Sequence, residues 1–244
     1  MKSEIPFDIL STAFSIERRF KELVRILKYE SRFVLSEPYK SYVDLIVENV
    51  NERFASTIPA SSIFFRGRIN DIDLQDHEKE TPPFPVEEMG PPPSQFATPG
   101  RINPEGIPYL YCAGDIDTAG AELRPWKGAR ITIAEVKITK DVKIADLTID
   151  CDDPNWLFFY DEFSKSFSIQ WPPDLKINYL PTQFFSEHFK ASGLRGIKYK
   201  SEFNEGGDNY SLFFREDYEI VNTFNVEVMH IGAFMFDRRI LKPV

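Results

Sequence analysis

The sequence predicts an α+β fold, and three observations lead to that prediction. The first 54 residues show helical periodicity, whereas the chain from Arg101 onward mixes short helices with β-like runs. Helices and strands do not alternate strictly in that part, which disfavours a doubly wound parallel sheet. A proline-rich segment, residues 71–100, separates the two parts. We therefore expect a helical N-terminal extension over residues 1–58 and an α+β domain over residues 59–244.

Two apolar stripes predict a helical hairpin near the N-terminus. In each stripe apolar residues recur at helical spacings, with charged side chains on the other faces. Between them Ser36 precedes Glu37 and Pro38; serine is a good N-cap, and proline fits the first helical turn. The stripes consist of Ile9, Ile16, Phe20, Leu23, Leu27 and Val34, then Tyr39, Val43, Ile46, Val50 and Phe54. We interpret the hairpin as structural support, with a built-in inhibitor or an oligomerisation surface as the alternative.

Short apolar runs predict the first strands of the domain. The run SSIFFRGRIN ends in Arg66 and Arg68 and precedes the proline-rich segment, which we expect to be a long loop or lid, or else a linker. The run IPYLYCAG then predicts a strand. DIDTAGAELR predicts a short helix with Asp115 or Asp117 as its cap and Pro125 as its stop.

The remaining chain adds further strands and two helices. ARITIAEVKIT and VKIADLTI predict strands. Helices are expected around residues 154–166 and 181–192, the second because Phe185 and Phe189 lie four residues apart. GIKYKS and NYSLFF predict strands joined by the turn-forming NEGGD, and the tail over residues 218–236 is largely strand. The aromatic fraction of 14%, dominated by 22 Phe, predicts an aromatic-rich core or pocket.

Composition and charge exclude several classes of function. With 29 basic and 38 acidic residues the net charge is −9, so the chain lacks the bulk positive charge that holds nucleic acid, and a phosphate-bearing ligand needs a local basic cluster. Cys112 and Cys151 form no cysteine framework, and His77, His188 and His230 show no metal-ligand spacing. No apolar run is long enough to cross a membrane. The sequence therefore predicts a soluble, reduced, cytoplasmic protein with no membrane, no metal and no direct nucleic-acid binding.

Three short segments contain side chains that could perform chemistry. Arginines bind phosphates through bidentate hydrogen bonds, so Arg66, Arg68 and Arg101 could form the local basic cluster, although surface arginines are common. Glu122 lies on a short helix among small residues that leave its carboxylate accessible, or it is a solvated face residue. Ser201 ends a strand before a glycine-rich turn. No nucleophile elbow or partner histidine is recognisable, so we expect it to form hydrogen bonds rather than to act as a nucleophile.

Five segments of the chain, in their order and their residues, resemble the RES-domain family. They read FRGR, GRINPEGIPYLYCAGDIDTAGAEL, ITIAEVKITKDVKIADLT, PTQFFSEHFKASGLRGIKYKS and GGDNYSLF, and they cover roughly residues 61–215. Members of that family show an Arg at a strand end, a G-R-W-N-x-x-G segment, a helix with A-x-x-E or A-x-E, and later G-I-x-Y-x-S and G-x-N-x-x-L-F. This sequence departs from the pattern at Ile102, which stands where the family has tryptophan, and in the long stretch between Arg68 and Gly100.

The resemblance implies a fold related to ADP-ribosyltransferases, with split β-sheets around an NAD cleft. It also implies a toxin that depletes NAD⁺ by cleaving the nicotinamide–ribose bond, as a glycohydrolase or phosphorylase, and a cognate antitoxin protein that blocks the cleft. A protein mono-ADP-ribosyltransferase and an inactive nucleotide-binding module are the alternatives. NAD⁺ is then the substrate, and no cofactor or metal is required. The oligomeric state is left open, a homo-oligomer included.

Residue by residue, the resemblance also assigns roles. The catalytic residues would be Arg66, Glu122 and Ser201, on which the Arg, Glu and Ser of the family name fall. Glu122 would stabilise positive charge on the ribose, and Arg66, assisted by Arg101 or Arg68, would bind the pyrophosphate. Ser201 would hydrogen-bond near the nicotinamide or its ribose. The substrate-binding residues would be Arg101, Arg68, Asn103, Asn209 and, against the nicotinamide ring, Tyr111.

Overall fold

The computed structural model describes residues 7–70, 81–231 and 236–240, and over these residues helices and strands are mixed. The helices are α1 (Phe7–Tyr29), α2 (Glu37–Arg53), α3 (Ile116–Ala121), α4 (Leu157–Ser168) and α5 (Leu180–Ala191). The strands are β1 (Ala55–Ile58), β2 (Ile63–Ile69), β3 (Leu110–Ala113), β4 (Arg130–Ile138), β5 (Val142–Asp146), β6 (Gly196–Lys200), β7 (Asp208–Leu212), β8 (Tyr218–Ile231) and β9 (Phe236–Ile240). This content confirms the α+β class. Within the described residues, no helix combines the length and apolar character that a membrane span needs.

The helical hairpin forms where the apolar stripes predict it. Phe20 and Leu27 are buried on α1, and Ser36 is the N-cap residue of α2, although its side chain makes no capping hydrogen bond. Val34 is 73% exposed, because α1 ends at Tyr29 and the chain turns before Val34. The expectation that Val34 continues the buried stripe is therefore wrong.

An aromatic core joins the hairpin to the rest of the chain. The Phe20 ring on α1 packs edge-on against Phe159 on α4, with centroids 5.1 Å apart, and lies 6.2 Å from Phe185 on α5. Phe54, which follows α2, stacks on Tyr160 at 3.9 Å. The hairpin thus shares one hydrophobic cluster with α4, α5 and one face of the sheet. This cluster is the aromatic-rich core that the composition predicts.

The described strands form one sheet in the order β1-β5-β6-β7-β3-β2-β4-β8-β9, in which only β5 and β6 are parallel. β2 and β3 are joined by a single residue pair, Phe65 with Ala113, whereas β2 and β4 pair from Ile63 to Ile69. The sheet therefore divides into a half-sheet β1-β5-β6-β7-β3 and a half-sheet β2-β4-β8-β9. The two separate beyond this pair, as the predicted split architecture requires.

A second apolar cluster takes side chains from both half-sheets. Ile58 of β1 and Val136 of β4 both belong to it, although five strands lie between β1 and β4 in the sheet order. Strands so far apart can share a cluster only when the sheet curls. The four helices α1, α2, α4 and α5 cover the other face of the first half-sheet, and α3 covers the other face of the second. The short helix α3 therefore borders the split.

The proline-rich segment lies against β2, β4 and β8 over residues 81–93, which we call the strap. The Phe84 N–H donates to Thr132 Oγ1 at 3.1 Å, and Asn225 Nδ2 donates to the carbonyl oxygen of Thr81 at 2.7 Å. The guanidinium carbon of Arg68 lies 4.0 Å from the centroid of the Phe84 ring. The strap thus covers the face of β2 that presents Arg68, opposite to α3. Residues 71–80 of the predicted loop lie outside the described residues.

Candidate active site

A cleft of about 180 Å³ lies where β2 and β3 separate. Typical small-molecule sites measure roughly 300–1,000 Å³. The cleft is therefore smaller than a typical small-molecule site, so a ligand of ordinary size would extend beyond it. Its polar lining consists of Arg66, Tyr111, Glu122, Tyr199 and Asn209.

The short helix α3 ends at the cleft and places Glu122 there. Asp115 Oδ1 accepts from the Thr118 N–H at 2.7 Å, and its Oδ2 accepts from Thr118 Oγ1 at 2.6 Å. Asp115 is therefore the N-cap, as one of the two predicted candidates. The helix stops after Ala121, with Glu122 as its C-cap residue, so it ends before the predicted stop at Pro125.

A glycine on β2 allows α3 to pack close to the sheet. A Cβ atom at Gly67 would lie 2.8 Å from Leu123 Cδ1 and 3.0 Å from the carbonyl oxygen of Ala119. The second of these contacts is to backbone and cannot move aside without shifting the helix. Gly67 thus sets the distance between β2 and the element that bears Glu122.

The hairpin formed by β6 and β7 holds the Glu122 carboxylate. Glu122 Oε1 accepts from Ser201 Oγ at 2.8 Å and from Asn209 Nδ2 at 2.5 Å. Glu122 Oε2 lies 3.8 Å from Arg101 Nη2, which is an ion-pair distance but too long for a hydrogen bond. The Glu122 side chain is 23% exposed. One carboxylate oxygen is therefore fixed by hydrogen bonds, and the other accepts no hydrogen bond from the described residues.

Arg101 is the buried cation beside this carboxylate. Its side chain is 8% exposed, its guanidinium carbon lies 5.4 Å from the Tyr199 ring centroid, and its Nη1 donates to the Phe167 carbonyl at 3.4 Å. Burial lowers the pKa of Arg101, but the nearby Tyr199 hydroxyl and Glu122 carboxylate outweigh burial and raise the pKa overall. Arg101 is therefore charged and supplies positive potential beside Glu122, although it does not itself line the cleft.

The structure does not bring the other two predicted arginines to Glu122. Arg66 lines the cleft where the strands separate, and its Nη1 donates to the carbonyl oxygen of Tyr111 at 2.8 Å. Burial lowers the pKa of Arg66, and within the described residues no carboxylate forms an ion pair with it. Arg68 is exposed and faces the strap, where its Nη1 donates to the Glu88 carbonyl at 3.3 Å. Arg68 does not line the cleft.

Tyr111 and Asn103 are joined by a hydrogen bond, and neither is hydrogen-bonded to Glu122. The Tyr111 hydroxyl donates to Asn103 Oδ1 at 2.8 Å and accepts from the N–H groups of Ile102 and Asn103 at 3.0 and 3.1 Å. Asn103 Nδ2 donates to the carbonyls of Thr98 and Pro104. Burial raises the pKa of Tyr111 to about 12, so its hydroxyl stays protonated. Tyr111 lines the cleft, whereas Asn103 does not.

Tyr199 is a cleft residue that sequence reasoning did not single out. It is buried, and its ring lies beneath the Arg101 guanidinium. The signal in the sequence is its spacing of two residues from Ser201, since alternate residues of a strand share a face. Burial raises the pKa of Tyr199, and it also raises the pKa of Cys112, another lining residue, to about 12. The cleft thus contains no reactive thiolate at neutral pH.

The side chains in the cleft and beside it suit one type of reaction. A fixed carboxylate stabilises positive charge that develops on a ligand, and a buried guanidinium binds an anionic part of the same ligand. In the three described ranges, no group of three or more His, Cys, Asp and Glu side chains is placed to hold a metal ion. The arrangement fits an anionic ligand that becomes cationic at a nearby atom during reaction.

Comparison with known proteins gives a family match and similar solved structures. The family profile described as the RES domain matches residues 73–229, a range that contains Arg101, Glu122, Ser201 and Asn209 and begins after Arg66. A search of curated proteins gave no match. Among solved structures, the MbcT–MbcA toxin–antitoxin complex of M. tuberculosis contains a similar chain, with a TM-score of 0.41 and 12% identity, covering 75% of this chain and 92% of that chain.

Proposed function

This chain belongs to the RES-domain family, and from that premise we propose that it consumes NAD⁺ by cleaving the nicotinamide–ribose bond, as a glycohydrolase or phosphorylase. The observation that carries the proposal is the state of Glu122. Its Oε1 is fixed by Ser201 and Asn209, while its Oε2 accepts no hydrogen bond from the described residues and lies 3.8 Å from Arg101 Nη2. A carboxylate held in this way is preorganised to stabilise a ribosyl cation.

The proposed reaction breaks the bond between ribose C1′ and the nicotinamide nitrogen. The bonding electrons go to the nicotinamide ring, which leaves as a neutral molecule, so no strong general acid is needed. Positive charge builds on the ribose, as in glycoside cleavage. Glu122 Oε2 lies near the ribose hydroxyls and stabilises this charge. Water or phosphate then bonds to C1′, and water releases a proton to solvent.

Substrate binding in this proposal depends on local charge within an acidic protein. Arg101 and Arg66 pair with the diphosphate of NAD⁺ in this proposal, because guanidinium groups bind phosphates through bidentate hydrogen bonds. Arg66 lines the cleft, and Arg101 lies beside Glu122 without lining the cleft itself. Tyr111 and Tyr199 line the nicotinamide ring. Arg68 does not bind the substrate in this proposal, since its guanidinium faces the strap.

The first experiment incubates the pure protein with NAD⁺, with and without phosphate, and separates the products by chromatography. Glu122→Gln keeps the side-chain shape but removes the charge, and we expect NAD⁺ loss to fall about 100- to 1,000-fold. Glu162→Gln, on the exposed face of α4, is the matched control and should be unchanged. Undiminished NAD⁺ loss in Glu122→Gln would contradict the mechanism.

The products separate the alternatives. Free ADP-ribose indicates a glycohydrolase, a phosphorylated ADP-ribose formed only with phosphate indicates a phosphorylase, and label retained on an acceptor protein indicates a mono-ADP-ribosyltransferase. Intact NAD⁺ together with measurable NAD⁺ binding would favour an inactive nucleotide-binding module.

The family resemblance also supports a biological role as a toxin that a cognate antitoxin protein restrains by blocking the cleft. Induced expression of the wild type should stop growth and lower cellular NAD⁺, whereas Glu122→Gln should do neither. Equal growth arrest by both chains would contradict NAD⁺ depletion as the cause.

A further inference from the structure

Arg101 extends from a closed loop of residues 97–106, which we call the Arg101 loop. The Gly106 N–H donates to the Ala97 carbonyl at 2.9 Å, and the Gly100 N–H donates to the Asn103 carbonyl at 3.0 Å. Neither bond belongs to a helix or strand, because the loop contains none. The direction of the Arg101 side chain therefore depends on what holds the backbone of this loop.

On one side, three consecutive carbonyls of the loop accept hydrogen bonds from α5. The pairs are Gln183 Nε2 to Gly100 O at 2.7 Å, Thr182 Oγ1 to Arg101 O, and Ser186 Oγ to Ile102 O at 2.6 Å. All three donor side chains are buried. An unpaired buried carbonyl is costly, so these bonds select one backbone conformation.

On the other side, the Tyr111 hydroxyl forms hydrogen bonds with the loop. It accepts from two adjacent backbone N–H groups, those of Ile102 and Asn103, and donates its proton to Asn103 Oδ1. A phenol hydroxyl has one donor and two acceptor positions, and all three are occupied. The hydroxyl therefore has no hydrogen-bonding capacity left for a substrate.

We infer that Tyr111 and Gln183 are positioning residues, which hold the Arg101 loop from opposite sides so that the Arg101 guanidinium faces Glu122. The catalytic consequence rests on the proposed function, whereas the effect on the loop does not. A binding group displaced by about 1 Å can lose about 100-fold in rate. The Tyr111 hydroxyl thus acts through Arg101 rather than on the substrate.

Hydrogen exchange tests the effect on the loop without any substrate. Tyr111→Phe keeps the ring and removes the hydroxyl, and we expect the Ile102 and Asn103 amides to exchange about tenfold faster by mass spectrometry. Tyr210→Phe is the matched control, because the Tyr210 ring packs against Phe64 in the second apolar cluster, whereas Ile102 of the loop belongs to the first. Exchange that is unchanged in Tyr111→Phe would overturn the inference, even if the wild type cleaves no NAD⁺.

Kinetics test the route through Arg101. We expect Tyr111→Phe and Gln183→Leu each to raise KM for NAD⁺ about tenfold, with a smaller change in kcat, because the arginine that binds the diphosphate is displaced. In an Arg101→Gln background, adding Tyr111→Phe should change KM by less than about twofold. Additive effects would overturn the inference, since the hydroxyl would then act independently of Arg101. Absence of NAD⁺ cleavage by the wild type would instead refute the proposed function and leave the exchange result to decide.

Discussion

Replacing Phe20 with alanine tests whether the N-terminal hairpin belongs to the core. Phe20 is 3% exposed, and its ring centroid lies 5.1, 5.7 and 6.2 Å from those of Phe159, Phe163 and Phe185. Removing a fully buried Phe side chain costs about 3–5 kcal/mol, through lost burial and the cavity left behind. All three neighbours lie on α4 and α5, so the loss falls on the contact between the hairpin and the rest of the chain.

The assay is thermal and urea unfolding followed by circular dichroism. In a chain of this length, 1 kcal/mol shifts Tm by about 2–4 °C, so Phe20→Ala should lower Tm by roughly 6–20 °C. Phe33→Ala is the matched control in the same hairpin, since Phe33 is 96% exposed and its loss should cost less than about 0.5 kcal/mol. Unfolding should remain a single transition in both variants.

Two outcomes would refute this reasoning. One is a Tm in Phe20→Ala no lower than in Phe33→Ala, which would mean that the buried ring contributes no stability. The other is unfolding in two separate steps with only the first step shifted. The hairpin would then be an independent appendage, and deletion of residues 1–56 would leave a folded domain instead of the unfolded chain that we expect.

Two further predictions concern charge. Arg66→Gln should raise KM for NAD⁺ about tenfold or more, because a charged hydrogen bond to phosphate is lost. Steady-state kinetics should be measured with Arg68→Gln as the control, because the Arg68 guanidinium faces the strap. A KM equal to that of the wild type in both variants would contradict this prediction. A hydrogen bond from Arg53 lowers the pKa of Asp153, so this carboxylate stabilises the fold above about pH 4 and loses that effect as pH falls through its lowered pKa. Urea unfolding should show the wild type about 0.2–1 kcal/mol more stable than Asp153→Asn at pH 7, with a smaller gap at pH 2. A gap that is constant with pH would contradict the assignment.

The elements of this fold could be predicted from the sequence because their signals are local. The stripe containing Phe20 repeats within one helix, and Asp115 caps the helix that begins at the next residue. The C-terminal end of α1 is harder to predict, since an apolar residue such as Val34 keeps the helical spacing after the helix has ended at Tyr29. Spacing alone does not reveal whether a partner surface exists to bury the side chain.

Local periodicity and motif order are enough to predict the α+β class, the resemblance to the RES-domain family and the residue types of the candidate site. Which candidate residues lie beside Glu122 follows from the tertiary structure alone. Ser201 and Asn209 reach Glu122 across 79 and 87 residues of chain, Arg101 and not Arg68 lies beside it, and the Tyr111 hydroxyl binds a loop. Such contacts follow from strand order and from the face that each strand presents. Strand order and strand orientation depend on which residues are buried over the whole sheet, so they cannot be predicted from any short segment of the sequence.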